Sequence, residues 1–165
     1  MKLCGFTDAD WVGIPLDQKS TLGGIFSVGS VVFSWYNRKQ RSMELSSTEV
    51  EYMVVSQATC EAIWMRKIFV GLFVQMMDPS VIYYDNHSFM NIYENNVFHD
   101  RSKHIDIWYH HLWDYVQRQI MLLQYIPIKE QDVDILTKAL SRGKFEFHRC
   151  RIGVVDNPFL AKRES

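Results

Sequence analysis

The sequence predicts one α/β domain whose elements follow the order βββαβαβα. Three observations lead there. Short runs of β-branched and aromatic residues, separated by turn residues, open the chain. A helix-start signal then introduces a long segment with apolar residues at helical spacing. The second half alternates further short apolar runs with amphipathic segments. At 165 residues, 47% hydrophobic and 22% charged, the chain is long enough to bury a core in one domain.

Leu3 to Ala9 is a β-prone run in which Cys4, Phe6 and Asp8 share one face, and a turn-rich stretch from Asp10 to Ser20 follows. Leu22 to Tyr36 reads as a hairpin turning at Gly29-Ser30, residues that a two-residue primed turn prefers. Ser46 and Glu49 have capping-box spacing, so a helix starts there and runs to about Phe69. Its stripe Val55, Ala58, Ala62, Met65, Phe69 extends back to Glu51, a carboxylate at the head of a sheet-facing side. Burying that carboxylate unpaired would cost several kcal/mol, so it calls for a ligand. Glu49 lies about 200° around the helix and reads as a capping, solvent-facing residue.

After Asp78-Pro79, Ser80 to Asn86 is a buried strand ending in an acid and an amide. Such strand ends gather ligands in open α/β sheets, which favours a functional Asp85 over the other reading, in which Asp85 or Asn86 caps a short following helix that reaches about Asn95. His104 to Arg118 then reads as a longer helix and Ile120 to Ile126 as a strand stopped by Pro127. Glu130 to Leu140 completes the order as a helix carrying Asp134, one turn from Lys138.

Asp8, Glu51, Asp85 and Asp134 thus stand in four different local settings, the layout a two-metal phosphodiester-cleaving site needs. Carboxylate oxygens hold Mg²⁺ or Mn²⁺, and two such ions about 4 Å apart clamp the attacking and leaving oxygens of an in-line displacement. The net charge of −1 supplies no global attraction to a polyanion. A local patch is needed, and Tyr36 to Arg41 with Arg38, Lys39 and Arg41 is the candidate, its other reading being a solvated loop.

Cys4, Cys60 and Cys150 are few and far apart, and read as buried or free thiols of a reducing compartment. No secretory n-region and no apolar run near 18 residues is present, which predicts an intracellular, cytoplasmic protein without a membrane partner. His99, His104, His110 and His111 invite a metal reading, but packing or surface placement is favoured. Trp11, Trp35, Trp64, Trp108 and Trp113 read as core anchors.

Eight stretches in one order carry a family resemblance: Phe6 to Trp11, Lys19-Ser20-Thr21, Ser34-Trp35, Lys39-Gln40, Leu45 to Tyr52, Tyr84-Asp85-Asn86, Lys103 to Ile107 and Asp134 to Lys138. Over about residues 3 to 153 the chain resembles the ribonuclease H domain of copia-type LTR retrotransposon Pol polyproteins. The resemblance implies a ribonuclease H-like fold, a mixed sheet flanked by helices, in residues 1–153, with 154–165 as a C-terminal tail. It implies cleavage of the RNA strand of RNA–DNA hybrids, leaving 3′-hydroxyl and 5′-phosphate ends. Two Mg²⁺ ions, with Mn²⁺ as substitute, would be held by Asp8, Glu51, Asp85 and Asp134. Asp8 would bridge both ions, Glu51 and Asp85 would complete one side and Asp134 the other. Ser47, Thr48 and Asn86 match positions that touch the nucleic-acid backbone, where 2′-hydroxyls tell RNA from DNA.

The chain departs from that pattern at Tyr36-Asn37, at His87 to Met90 and at Trp108, which replaces a common arginine and would weaken binding more than chemistry. Only seven residues precede Asp8, without the reverse transcriptase domain that partners this one in full-length relatives, so a truncated copy is the expectation. The alternative function is a ribonuclease H-fold remnant of weak or no catalysis that binds nucleic acid or a protein.

Overall fold

Strands β1 (Leu3–Asp10), β2 (Thr21–Val28) and β3 (Val31–Lys39) pair antiparallel, and β4 (Ser80–Tyr84) and β5 (Met121–Tyr125) extend the sheet in parallel. The order is β3-β2-β1-β4-β5. This computed structural model describes residues 1–10, 20–39, 47–74, 77–86 and 103–155, and for residues 47–49 and 103–109 the backbone alone. Helix α1 (Ser47–Phe73) and helix α2 (Lys103–Gln117) lie in the connections that return the chain to β4 and β5. Parallel neighbours need such crossovers, whereas β2 and β3 need only a hairpin. Gly29 turns that hairpin with φ at +61°, a conformation that costs glycine little.

The apolar stripe of α1 explains the core. Tyr52, Val55, Ala58, Ala62 and Met65 pack with Leu3, Phe26, Ile82 and Tyr84 from the sheet, and Leu112 of α2 and Met121 of β5 close the same cluster. Each large aliphatic or aromatic side chain buried here contributes roughly 1.5–3 kcal/mol. The smaller cluster of Leu22, Val50 and Val54 fixes the N-terminal end of α1, and with it Glu51, against β2.

The expected mixed sheet and its element order are present, with four differences. β3 continues past Tyr36 to Lys39, because β2 offers Leu22 and Thr21 as partners, so Arg38 and Lys39 belong to an edge strand and not to a loop. The single helix expected over Glu130 to Leu140 is broken into a 3-10 turn (Ile128–Glu130) and a one-turn helix α3 (Asp134–Thr137). Tertiary bonds break it. The fully buried Gln131 donates from Nε2 to the Thr7 carbonyl at 2.9 Å, and buried Asp132 pairs with His148 at 2.9 Å and Arg151 at 3.0 Å. His148 and Arg151 come from α4 (Arg142–Arg151), an additional helix whose mostly exposed residues carry little apolar periodicity. Finally, Trp35, Trp64 and Trp113 are exposed, so these three do not anchor the core. The short helix expected to reach Asn95 lies outside the described residues, as do the side chains of Trp11 and Trp108. His110 and His111 are exposed, in keeping with surface placement, and Cys4, Cys60 and Cys150 are free thiols.

Candidate active site

The acids meet where β1 and β4 end side by side. Parallel pairing aligns Cys4 with Val81 and Phe6 with Tyr83, and Asp8 and Asp85 each follow two residues after the last of these paired positions. Asp134 reaches the same point from α3, which lies directly over Gly23, the antiparallel partner of Asp8. Gly23 is what permits this approach: a Cβ there would stand 2.6 Å from Thr137 Cγ2 and 2.8 Å from Val133 Cγ1. Asn37 of β3 donates to the Leu136 carbonyl, and Thr137 Oγ1 donates to Asp8 Oδ2 at 2.6 Å, so α3 is tied to strands on both sides of Gly23.

Asp8, Asp85 and Asp134 present carboxylate oxygens that all lie within 4.8 Å of one another. Glu51 belongs to the same cluster electrostatically. Burial pushes its pKa up to about 7; a hydrogen bond with Asn86 and the charge of Lys138 pull it down, while Asp8 and Asp85 push it further up. Burial likewise raises Asp85, helped by Asp8 and opposed by Lys138 and by a hydrogen bond with Gln131. Burial raises Asp134 too, against its contact with Lys138. Partly buried acids that destabilise one another's charge, all offering hard oxygen donors, fit a divalent cation of the Mg²⁺ or Mn²⁺ class.

Among the described residues, the structure brings Asp8, Asp85 and Asp134 together, while Glu51 falls outside that set of oxygens, hydrogen-bonded to Asn86 and within electrostatic reach of Asp8 and Asp85. Arg38 stands apart. Its guanidinium pairs with Glu61 at 3.5 Å and lies 5.3 Å from the Tyr36 ring centroid. Glu61 is ten residues, about 15 Å, along α1 from Glu51. Lys39 pairs with Thr21 at the end of β3. Arg41 and the side chains of Ser47 and Thr48 lie outside the described residues.

Lys138, one turn from Asp134, was expected from the sequence, whereas Thr137, Gln131 and Gly23 are three supports that it did not single out. Lys138 places Nζ 2.7 Å from Asp134 Oδ1 and 3.2 Å from Asp8 Oδ2. Thr137 and Lys138 follow Asp134 at the i+3 and i+4 helical spacings, a signal that was legible. Gln131 and Gly23 had none, since their roles depend on strands far away in sequence.

No protein-family model matches the chain. Over 158 residues, 96% of the chain, it is 37% identical to the retrovirus-related Pol polyprotein from transposon RE2 of Arabidopsis thaliana. It is 32% identical over 155 residues, 94% of the chain, to that from transposon TNT 1-94 of Nicotiana tabacum. This chain is a homologue of copia-type Pol polyproteins. It spans 11% of the RE2 polyprotein and 12% of the TNT 1-94 polyprotein.

This Pol homologue has a ribonuclease H-like fold. LC11-RNase H1 in complex with an RNA/DNA hybrid superposes with a TM-score of 0.56 at 13% identity, covering 82% of this chain and 93% of that one. The N-terminal RNase H domain of Rv2228c from Mycobacterium tuberculosis gives 0.55 at 10% identity, with 90% and 96% covered. Prototype foamy virus protease-reverse transcriptase gives 0.50 at 13% identity, with 93% of this chain and 21% of that chain covered. Identities this low carry the fold alone. Among the described residues no helix is long and apolar enough to cross a membrane.

Proposed function

We propose that this Pol homologue hydrolyses the RNA strand of RNA–DNA hybrids, using Mg²⁺ held by Asp8, Glu51, Asp85 and Asp134. The observation that carries this reading is the convergence of Asp8, Asp85 and Asp134 oxygens within 4.8 Å, beside a Glu51 that burial and two of those acids hold up to about 7. Two bound ions would supply an activated water and charge stabilisation at the departing 3′ oxygen. The chain's own groups keep the acids in place. Thr137 orients Asp8, Gln131 spans the backbone of Thr7 and the side chain of Asp85, and Asn86 holds Glu51 toward the cluster.

Arg38, Lys39 and Arg41 with Ser47, Thr48 and Asn86 form the proposed backbone-contacting set, and contacts of that kind position a substrate without reading its sequence. The reverse transcriptase of a full-length polyprotein is the proposed natural neighbour. A test of substrate class compares labelled hybrid, DNA duplex and single-stranded RNA in Mg²⁺ and maps the product ends. The reading requires cuts in the RNA strand of the hybrid, with 3′-hydroxyl and 5′-phosphate ends. Cutting of the DNA strand, or equal cutting of free RNA, would overturn it.

A further inference from the structure

Lys138 ends α3. Its backbone is extended, at φ −123° and ψ 149°, while its N–H still bonds the Asp134 carbonyl at 2.9 Å, which fixes its Cα one turn from Asp134. From there the side chain runs into the acid cluster. Nζ lies 2.7 Å from Asp134 Oδ1, 3.2 Å from Asp8 Oδ2 and 3.3 Å from Asp8 Oδ1, so three oxygens face an ammonium that has three donors. Burial pulls Lys138 toward its neutral form, but Asp134 and Asp8 outweigh it and hold the group charged, above the usual lysine range.

A divalent cation on Asp8 and Asp134 would share these oxygens with the ammonium at a separation of a few ångströms, where like charges repel even at an effective protein dielectric near 20. That repulsion sets the two cations in competition for these contacts. Side-chain exposure of 30% leaves Lys138 an outward path to solvent that Asp8 and Asp134, at 6% and 8%, lack. We propose that Lys138 is a built-in counter-cation of the acid cluster, which a divalent ion must displace from Asp8 and Asp134, so that this residue sets the ion concentration at which the site fills. The inference rests on reading the four acids as an ion site, and adds the group that competes for it.

Lys138 acts through the acids and is a positioning residue, so ion affinity and not turnover is the deciding readout. The experiment strips the full chain with EDTA and titrates Mn²⁺ by calorimetry into the parent, Lys138→Met, Lys138→Gln and Lys138→Arg. Without the competing charge, Met and Gln variants bind Mn²⁺ about tenfold tighter, equivalent to about 1.4 kcal/mol. The Arg variant stays near the parent. In thermal melts, Lys138→Gln falls below the parent in EDTA and gains more from Mg²⁺. Affinity in both uncharged variants equal to or weaker than the parent's overturns the inference, and leaves the ion-site reading standing if the parent binds Mn²⁺. Absence of Mn²⁺ binding in all four proteins overturns both.

Discussion

Replacing Gly23 with alanine probes how the backbone places Asp134. The added Cβ would stand 2.6 Å from Thr137 Cγ2 and 2.8 Å from Val133 Cγ1, about 1 Å inside ordinary carbon–carbon contact. β2 cannot retreat, because it is hydrogen-bonded to β1 on one side and β3 on the other. Val133 is β-branched and buried, and Thr137 is held by its bond to Asp8, so neither side chain escapes by changing rotamer. The one-turn helix α3 must therefore lift. Overpacking of this kind costs about 1–3 kcal/mol, and the stiffer unfolded chain returns about 0.4–1 kcal/mol, for a net loss between about 0 and 2.6 kcal/mol. A shift of about 1 Å at Asp134 would cost on the order of 100-fold in cleavage. Gly24→Ala supplies the control, because its Cβ would strike the Tyr36 ring on the opposite face of the sheet, away from α3. Urea unfolding and Mg²⁺-dependent hybrid cleavage should show both variants destabilised and only Gly23→Ala crippled at a temperature where both are folded. A Gly23→Ala protein that cleaves within a few-fold of the parent would show that α3 does not lift and that Gly23 does not place Asp134.

Glu51→Gln is expected to abolish Mg²⁺-dependent cleavage, whereas Glu49→Gln costs at most about 1 kcal/mol of stability; equal loss of activity from both would contradict the helical phase. The raised Glu51 pKa has a sign that melts can read. The folded state binds its proton more tightly than the unfolded chain, so in EDTA stability falls as pH rises from the ordinary value of 4.5 to about 7. Glu51→Gln should flatten that slope. Neutralising Lys39 and Arg41 together should weaken hybrid binding and reduce its dependence on log salt by about 0.7–0.9 for each phosphate left without its cationic partner, with a smaller change for Arg38, which Glu61 already holds. An unchanged slope would mean that the nucleic acid is held elsewhere. His148→Ala leaves buried Asp132 with Arg151 as its remaining charged partner among the described residues and should cost about 1–3 kcal/mol in urea unfolding.

Three of the four acids were legible because each sits at the end of a pattern that local rules define. Asp8 and Asp85 close β-prone runs, and Glu51 continues the stripe through Val55, Ala58, Ala62 and Met65, all buried. Asp134 was legible as a residue but not in its setting. The break before it is imposed by Thr7, His148 and Arg151 acting on Gln131 and Asp132, partners that no window along the chain contains. α4 carries no apolar period to read, because His148 is its one buried residue. Arg38 and Lys39 looked like a loop because they are charged, yet an edge strand tolerates charge on its open side. Large aromatic area did not decide burial either: Trp35 and Trp64 are exposed on β3 and α1.

Asp8, Glu51, Asp85 and Asp134 are proposed as one metal-dependent site for cutting RNA. Its most direct test is the initial cleavage rate of the labelled RNA strand of a hybrid, followed against Mg²⁺ concentration for the parent and for Asp8→Asn. Asp8 touches both Thr137 and Lys138 and lies with Asp85 and Asp134, so its loss removes the group common to the whole cluster. No cleavage in EDTA, a rise with Mg²⁺ in the parent, and a loss of at least about 1,000-fold in Asp8→Asn are expected. These outcomes carry the proposed site. Cleavage that persists in EDTA, a parent that leaves the hybrid intact at every Mg²⁺ concentration, or an Asp8→Asn protein as active as the parent would contradict it.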